Sequence, residues 1–422
     1  MGYRVLVVGK GGREHAICWK LRQSSVVDAL YCAPGNPGIE AIATCLPVGV
    51  MDTAGIVGAA RDQAIDLVVV GPEDPLAAGL ADALEAAGFL VAGPTQAAAQ
   101  LEASKSFAND VMAIANIPTA RSRTVATMAE GQAAIAELLT TAGVVVKADG
   151  LAAGKGVVVA DTQDQALTAL EEMLVGGSMG DAGHTIVIEE RLVGEEVSIL
   201  CLSDGTTIWP LQPSCDYKRA HDNDLGPNTG GMGNYTPTRL VDAAMMTRIQ
   251  QEILDPVIAE MARRDTPMKG ILFAGLMMTT DGPKVIEFNC RFGDPETQVV
   301  LPTLDGDLGV LLHAVASGNL AEQQRPAAAG AAVGVVLASE GYPGSYPKGE
   351  VISGLENAGK ALVFHAGTAW AGDSVVTDGG RVLCVVGLGD DLATARSEAY
   401  AAAAEITFPG GWMRSDIALR EI

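Results

Sequence analysis

Lys147-Ala148-Asp149-Gly150-Leu151-Ala152-Ala153-Gly154-Lys155-Gly156 lies between two apolar runs, Val144-Val145-Val146 and Val157-Val158-Val159. Short β-branched runs on both sides of a glycine-rich stretch predict strand, loop, strand. Glycine lets backbone amides approach a ligand closely, and two ammonium groups add positive charge, a combination suited to a flexible clamp on a polyphosphate. Lys147, Gly154, Lys155 and Gly156 are therefore candidate phosphate contacts. A Walker A loop is excluded. That motif needs four residues between its glycines and a Ser or Thr after its lysine; here Gly150 and Gly154 enclose three, and Gly156 follows Lys155.

Upstream of the clamp, strand and helix signals alternate. Tyr3-Arg4-Val5-Leu6-Val7-Val8 predicts a strand ending in Gly9-Lys10-Gly11-Gly12, followed by a helix from Arg13 to Arg22. Ala29 to Ala33 predicts a second strand before the turn Pro34-Gly35-Asn36-Pro37-Gly38. Ile65 to Val70 is apolar almost throughout, as expected for a parallel strand covered on both faces. It ends in Gly71-Pro72-Glu73-Asp74-Pro75, and Leu76 to Ala87 predicts a helix. This α/β repetition predicts a doubly wound, Rossmann-like parallel sheet over residues 1–103, with ligands at the carboxyl ends of its strands. The first glycine loop is not a dinucleotide fingerprint, because Glu14 stands where the third glycine belongs. A tight turn at a helix N-terminus, suited to a phosphate, remains.

Downstream, one alanine-rich helix carrying Lys105 is expected from Gln96 to Asn116, broken by Ile117-Pro118-Thr119. Residues 104–118 then connect to a small α/β unit, 119–191, that holds the clamp. A larger unit, 192–325, carries the strongest polar motifs. The linker Gln323-Gln324-Arg325-Pro326 leads to a small α+β domain, 326–422, with one helix from Leu392 to Ile406.

Composition narrows the function. With 51 acids against 28 bases, a net charge of -23 repels nucleic acid over most of the surface, so any anionic ligand must be held by local cations and backbone amides. No apolar stretch approaches the ~18 residues of a membrane span. The opening Met1-Gly2-Tyr3-Arg4-Val5 reads as a first strand, so a cytoplasmic protein is expected. The seven cysteines are scattered and never spaced C-x-x-C, which predicts buried thiols in a reducing compartment.

Ile271 to Thr279 and Pro283 to Phe292 predict a hairpin turning at Asp281-Gly282. On its second strand Glu287, Asn289 and Arg291 are two apart and share a face. A carboxylate beside an amide oxygen suits Mg²⁺, which keeps waters and substrate phosphates as its other ligands. Arg291 is then placed for a terminal phosphate; a solvated face with a salt bridge is the plainer alternative. In Ile186-Val187-Ile188-Glu189-Glu190-Arg191-Leu192-Val193-Gly194-Glu195-Glu196 a strand leaves into a turn, whose backbone can pair an adenine edge while a later carboxylate accepts ribose hydroxyls. Asp216-Tyr217-Lys218-Arg219 and Gly226-Pro227-Asn228-Thr229-Gly230-Gly231-Met232-Gly233 are expected to form one long loop. Loops of that length are uncommon unless functional, and this one offers the carboxylate and cations a zwitterionic substrate needs.

Together these motifs closely resemble the glycinamide ribonucleotide synthetase family (phosphoribosylamine–glycine ligases), ATP-grasp enzymes of purine biosynthesis. Gly11-Gly12-Arg13-Glu14-His15-Ala16, Ala33-Pro34-Gly35-Asn36, Gly71-Pro72-Glu73, the Lys147 clamp, Gly226 to Gly233 and Glu287 to Glu296 follow the family's order. So do Gly341-Tyr342-Pro343-Gly344, Phe364-His365-Ala366-Gly367-Thr368 and Gly380-Arg381-Val382-Leu383. The resemblance implies ATP and Mg²⁺ or Mn²⁺ as cofactors, with Lys105 and Lys147 on the ATP phosphates. Glu189 would lie at the adenine edge with Glu190 and the Arg191-Leu192 backbone, Glu196 at the ribose, and Glu287 and Asn289 on the metal. It implies glycine and 5-phosphoribosylamine as substrates, joined through glycyl phosphate, by a monomer in transient contact with the enzyme supplying phosphoribosylamine. Two competing readings are a formate- or bicarbonate-using ATP-grasp ligase and a nucleotide-binding regulator without turnover.

Within that implied reaction, Arg291, Asp294 and Lys218 are the candidate catalytic groups. Asp216, with Asp294 as rival, is the candidate for glycine's ammonium and Arg291 for its carboxylate; Arg219, Asn228, Thr229, Gly230 and Gly231 line the same pocket. Gly12, Arg13 and Glu73 are assigned to phosphoribosylamine. Three departures from the family pattern stand out: Asn234 replaces a commonly small residue, Ala418 a common glycine, and Ile271 to Thr279 lacks an additional acidic metal ligand.

Overall fold

The computed structural model describes residues 2–151, 156–176 and 183–422. Gly154 and Lys155 of the clamp therefore lie outside the described residues. The N-terminal sheet is parallel, in the order Thr44–Cys45, Val27–Pro34, Tyr3–Gly9, Leu67–Val70, Leu90–Ala92. Leu67–Val70 is buried at all four positions, as its apolar run requires. Strand order reverses beside Tyr3–Gly9, so the turns after Gly9, Pro34 and Val70 meet at one carboxyl edge, where such sheets bind ligands.

Two antiparallel sheets follow. One orders Ser122–Val125, Ile186–Glu190, Val144–Ala148 and Val157–Ala160, with helices Met128–Leu138 and Gln163–Leu174 packed over a common core. The other orders Ile208–Pro210, Glu195–Asp204, Lys269–Thr279 and Gly282–Asn289. A third antiparallel sheet joins the short strands Cys215–Asp216 and Gly233–Thr236 to Ala331–Ala338, Arg381–Gly389 and Leu362–His365. The middle and C-terminal parts of the chain thus share a sheet, and one apolar cluster runs from Val5 and Val7 through Val299 and Leu311 to Ala332 and Cys384.

Three local expectations are corrected. The helix expected from Gln96 to Asn116 is two, Gln96–Ala103 and Lys105–Ile114. Extended Ser104 (φ −130°, ψ 114°) accepts the Phe107 N–H with its hydroxyl and starts the second helix, placing Lys105 at its N-terminus. Leu76 to Ala87 likewise divides into Glu73–Ala77 and Leu80–Ala86 at Gly79, whose φ of +85° a helix cannot hold. The long loop expected after Asp216 contains an exposed two-stranded hairpin, Arg219–His221 with Leu225–Asn228. Among the described residues no helix is long and apolar enough to cross a membrane.

Two imidazoles lock the first sheet against the C-terminal sheet. The His365 N–H donates to His15 Nδ1 at 2.9 Å, and both rings pack on the bare backbone of Gly38. Burial, and then the neighbouring His365, hold His15 down to about 3; burial alone holds His365 down to about 4. Below the ordinary value near 6.5 the unfolded chain binds protons that the folded protein refuses, so stability falls as pH falls. Each ring costs about 1.4 kcal/mol for every pH unit below that value, until its own folded-state pKa is reached. Urea unfolding at pH 5 is therefore expected to show on the order of 4 kcal/mol less stability than at pH 7.5. His15→Gln should remove about half of that difference; equal stability at both pH values would mean that the rings titrate normally.

Candidate active site

Strand alternation decides which clamp residues meet. Lys147 faces the cleft between the two antiparallel sheets, and its Nζ lies 2.7 Å from Glu189 Oε2 on the adjacent strand. The same ammonium donates to the Ile286 carbonyl at 3.2 Å, which bridges the sheets. Glu190, one residue on, turns to the opposite face and pairs with Arg121 at 2.7 Å. Its side chain is therefore not brought to the cleft. Arg191 donates to Asp161 Oδ1 and the Ala142 carbonyl at 2.6 and 2.9 Å, and with half-buried Leu192 lies on irregular backbone between the two sheets.

Lys105 reaches the clamp from its helix N-terminus and donates to the Gly150 carbonyl at 3.0 Å. Burial, and then the charge of Lys147, lower its pKa. Asp149 accepts the Ser106 N–H at 3.2 Å and the hydroxyls of Ser104 and Ser106, while Gly156 accepts the Ala148 N–H at 2.8 Å. Two ammonium groups held this close make a site for an anion of more than one charge.

Across the cleft, Glu287 and Asn289 end the strand Gly282–Asn289. Lys218 Nζ is 2.9 Å from Glu196 Oε2 and 3.9 Å from Glu287 Oε1. Burial would strip its proton, but Glu196, Glu287 and Asp216 outweigh that and hold the Lys218 pKa above its ordinary value. Burial raises Glu287 too, yet Lys218, Lys147, Arg291 and Lys105 leave its pKa below the usual carboxylate value. It is an anion among cations. No cluster of three or more His, Cys, Asp or Glu positioned for a metal exists among the described residues. One carboxylate and one amide oxygen nevertheless fit Mg²⁺, whose remaining ligands are waters and substrate phosphates.

Arg291 lies beyond the strand. Its guanidinium meets Glu73 Oε2 at 3.2 Å, Glu102 Oε1 at 3.1 Å and Asn289 Oδ1 at 3.4 Å. Glu102 also accepts the Cys290 N–H at 2.7 Å. Its place in the site is not anticipated from sequence, where a lone acid in an alanine-rich helix is its only signal. Arg13 donates to the Phe292 carbonyl at 3.0 Å, pairs with Glu14 at 2.5 Å and lies 3.8 Å from Glu73. Gly12 packs against Gln298, whose amide donates to Asp294 at 2.9 Å. Glu14, which breaks the dinucleotide fingerprint, lies over Gly9 and Gly71 and accepts the Gly11 N–H at 2.6 Å. It fills space and takes an amide that a dinucleotide would need.

The remaining polar wall joins Asp216, Glu296, Asp294 and Arg381. Burial, and then the charge of Glu296, raise Asp216 well above its ordinary value, opposed by Lys218 and Arg381. Burial raises Glu296 as well, and it accepts the Ser198 hydroxyl at 3.1 Å. Arg381 donates to the carbonyls of Gly230 and Asp294 and lies 3.3 Å from the Asp294 carboxylate. At Gly231, with φ +108°, a side chain would collide with Asp216 and Pro295. Thr229 hydrogen-bonds within the loop, donating to the Lys218 carbonyl at 2.9 Å and accepting the Gly231 N–H at 3.0 Å. Arg219 bonds its own hairpin at the Gly226 carbonyl, and Asn228 is exposed, so neither is brought to this wall. Glu296 and Arg381 belong to recognisable motifs, but neither motif shows what its residue folds against, so sequence alone does not single them out.

Comparison with known proteins agrees with this architecture. The chain matches the phosphoribosylglycinamide synthetase N domain over residues 3–102, the ATP-grasp (A) domain over 103–297 and the C domain over 332–420. It is 48% identical over 426 residues to phosphoribosylamine–glycine ligase of Vibrio cholerae, covering 99% of this chain and 98% of that protein. It is also 48% identical to the trifunctional purine biosynthetic protein adenosine-3 of Gallus gallus, covering 100% of this chain but 42% of that protein. The crystal structure of phosphoribosylamine–glycine ligase from Thermotoga maritima superposes with a TM-score of 0.83 at 32% identity, covering 98% of this chain and 99% of that one. Biotin carboxylase from Campylobacter jejuni shares the fold (TM-score 0.75) at 14% identity, covering 97% of this chain and 93% of that one. With three consecutive domain matches and full-length relatives at this identity, the chain belongs to the phosphoribosylglycinamide synthetase family.

Proposed function

We propose that this protein joins glycine to 5-phosphoribosylamine with ATP, releasing glycinamide ribonucleotide, ADP and phosphate, in de novo purine biosynthesis in the cytoplasm. The observation that carries this reading is the convergence of Lys105, Lys147 and Lys218 on Glu287 across the clamp, beside the buried pair Asp216 and Glu296. The first group suits a metal–polyphosphate, the second an ammonium. The relatives at 48% and 46% identity bear the name of this ligase.

A carboxylate is a poor acyl donor because its leaving group would be oxide. In the proposed reaction a glycine carboxylate oxygen attacks the γ-phosphorus and ADP leaves, giving glycyl phosphate. The phosphoribosylamine nitrogen then attacks the acyl carbon, phosphate leaves, and the nitrogen gives up a proton. Lys105, Lys147 and Arg291 neutralise and align the phosphoryl group, so the protein acts by positioning and electrostatics and needs no covalent nucleophile. Glu287 and Asn289 would hold Mg²⁺ or Mn²⁺, which when bound supplies further charge neutralisation on the phosphates. Asp216 orients the glycine ammonium, while Gly12, Arg13 and Glu73 face phosphoribosylamine. The assay is ADP release dependent on both glycine and phosphoribosylamine, with the product identified by mass. Release with formate or bicarbonate in place of glycine would defeat this reading.

Asp216→Asn tests the placement of glycine. Losing one charge-assisted hydrogen bond of about 1.5–3 kcal/mol should raise the glycine KM roughly tenfold or more, with the ATP KM little changed. An unaltered glycine KM would move the ammonium elsewhere, Asp294 being the alternative.

A further inference from the structure

Four polar side chains gather behind Asp216. Asn234 pairs directly across the sheet with Asp216, so the two share a face. Ser214, two residues before Asp216, pairs across with Ser198, whose hydroxyl donates to Glu296 at 3.1 Å. On its other side Asn234 faces Gly334, which offers no side chain. Asn234 and Ser214 are 0% exposed, and Ser198 and Glu296 are 4% exposed. Yet neither the Asn234 amide oxygen nor its nitrogen, nor the Ser214 hydroxyl, has a protein hydrogen-bond partner among the described residues. Buried polar groups left unsatisfied are costly and rare, so a fully buried amide with no protein partner at either end calls for an explanation.

We propose that Asn234 and Ser214 enclose one water molecule behind Asp216 and Glu296, and that this water is the inner wall of the amino-acid site, carrying a hydrogen bond from glycine's ammonium into the core. The inference rests on the reading that places glycine at Asp216. The chemistry suits water: an amide and a hydroxyl can each donate or accept, one carboxylate oxygen accepts and the ammonium donates, which fills the four partners that a buried water can take.

The test uses the full chain and measures glycine half-saturation at saturating ATP, beside the unfolding midpoint without glycine. Asn234→Leu, close in volume but apolar, is expected to raise glycine half-saturation roughly tenfold, which is about 1.4 kcal/mol and within what one lost hydrogen bond supplies. The ATP half-saturation should stay within about twofold and the midpoint unchanged or higher, because an unsatisfied buried amide is removed. Asn234→Ala leaves room for a second water and should stay within about threefold of the parent. Ser214→Ala adds no bulk and should raise glycine half-saturation severalfold, which keeps the question open to test if Asn234→Leu does not fold. Unchanged glycine half-saturation in Asn234→Leu, or in Ser214→Ala, overturns the proposal. Asp216→Asn run in parallel separates the two claims: if it too is silent, glycine lies elsewhere, whereas if it alone responds, only the enclosed water is wrong.

Discussion

Glu287→Gln is expected to lower turnover by roughly 100-fold or more while the folded protein keeps its melting temperature. The carboxylate is an anion that Lys218, Lys147, Arg291 and Lys105 all act on, and together they hold its pKa below the ordinary value. Glutamine keeps the shape and one acceptor oxygen but removes the negative charge that a divalent cation requires. Electrostatic groups that act on developing charge typically contribute 10²–10³ in rate. Stability should change little because the side chain is 44% exposed and its Lys218 contact is long, at 3.9 Å. Turnover should be measured across metal concentrations, together with a melt. Turnover close to the parent at every concentration would sink the assignment of Glu287 to the metal.

Lys147→Met should do two separable things. Lys147 and Glu189 are 8% and 10% exposed and 2.7 Å apart, so removing the ammonium strands a carboxylate in the interior. Breaking one side of such a pair costs about 3–5 kcal/mol, readable by urea unfolding. The Ile286 carbonyl also loses its donor. Adding Glu189→Gln should restore most of that stability, since a neutral amide no longer demands a charged partner. It should not restore nucleotide affinity, because the cation for the phosphates is still missing. If the double variant bound ATP as the parent does, Lys147 would be a structural partner of Glu189 alone.

The strands of the fold were legible because burial on both faces writes itself as a continuous apolar run, as in Leu67–Val70, and an apolar triplet such as Val144-Val145-Val146 marks a strand beside a glycine-rich loop. The helix breaks were not. A single Ser104 or Gly79 lowers helix propensity by only about 1 kcal/mol or less, too little to mark a break in alanine-rich sequence, and the break shows only in the extended Ser104 and left-handed Gly79 backbone. The hairpin Arg219–His221 with Leu225–Asn228 escaped because an exposed ribbon lacks apolar alternation. For the site, Lys147, Lys218 and Glu287 could be named from motif and alternation, since each sits on or beside a strand whose facing is set by parity. Glu102 and Arg381 could not. They act on Arg291 and Asp294 from far along the chain, and such pairing is a property of the assembled layers.

Arg381 has a consequence for anyone who would rebuild this protein from parts. A guanidinium from the C-terminal segment grips the carbonyls of Gly230, Gly231 and Asp294, all contributed by the unit before it, residues 192–325. The C-terminal segment is thus a wall of the polar pocket at Asp294 and Gly231 rather than an appended cap. A chimera whose grafted segment lacked an arginine at position 381 would leave those carbonyls without this donor even if every residue of the clamp were retained.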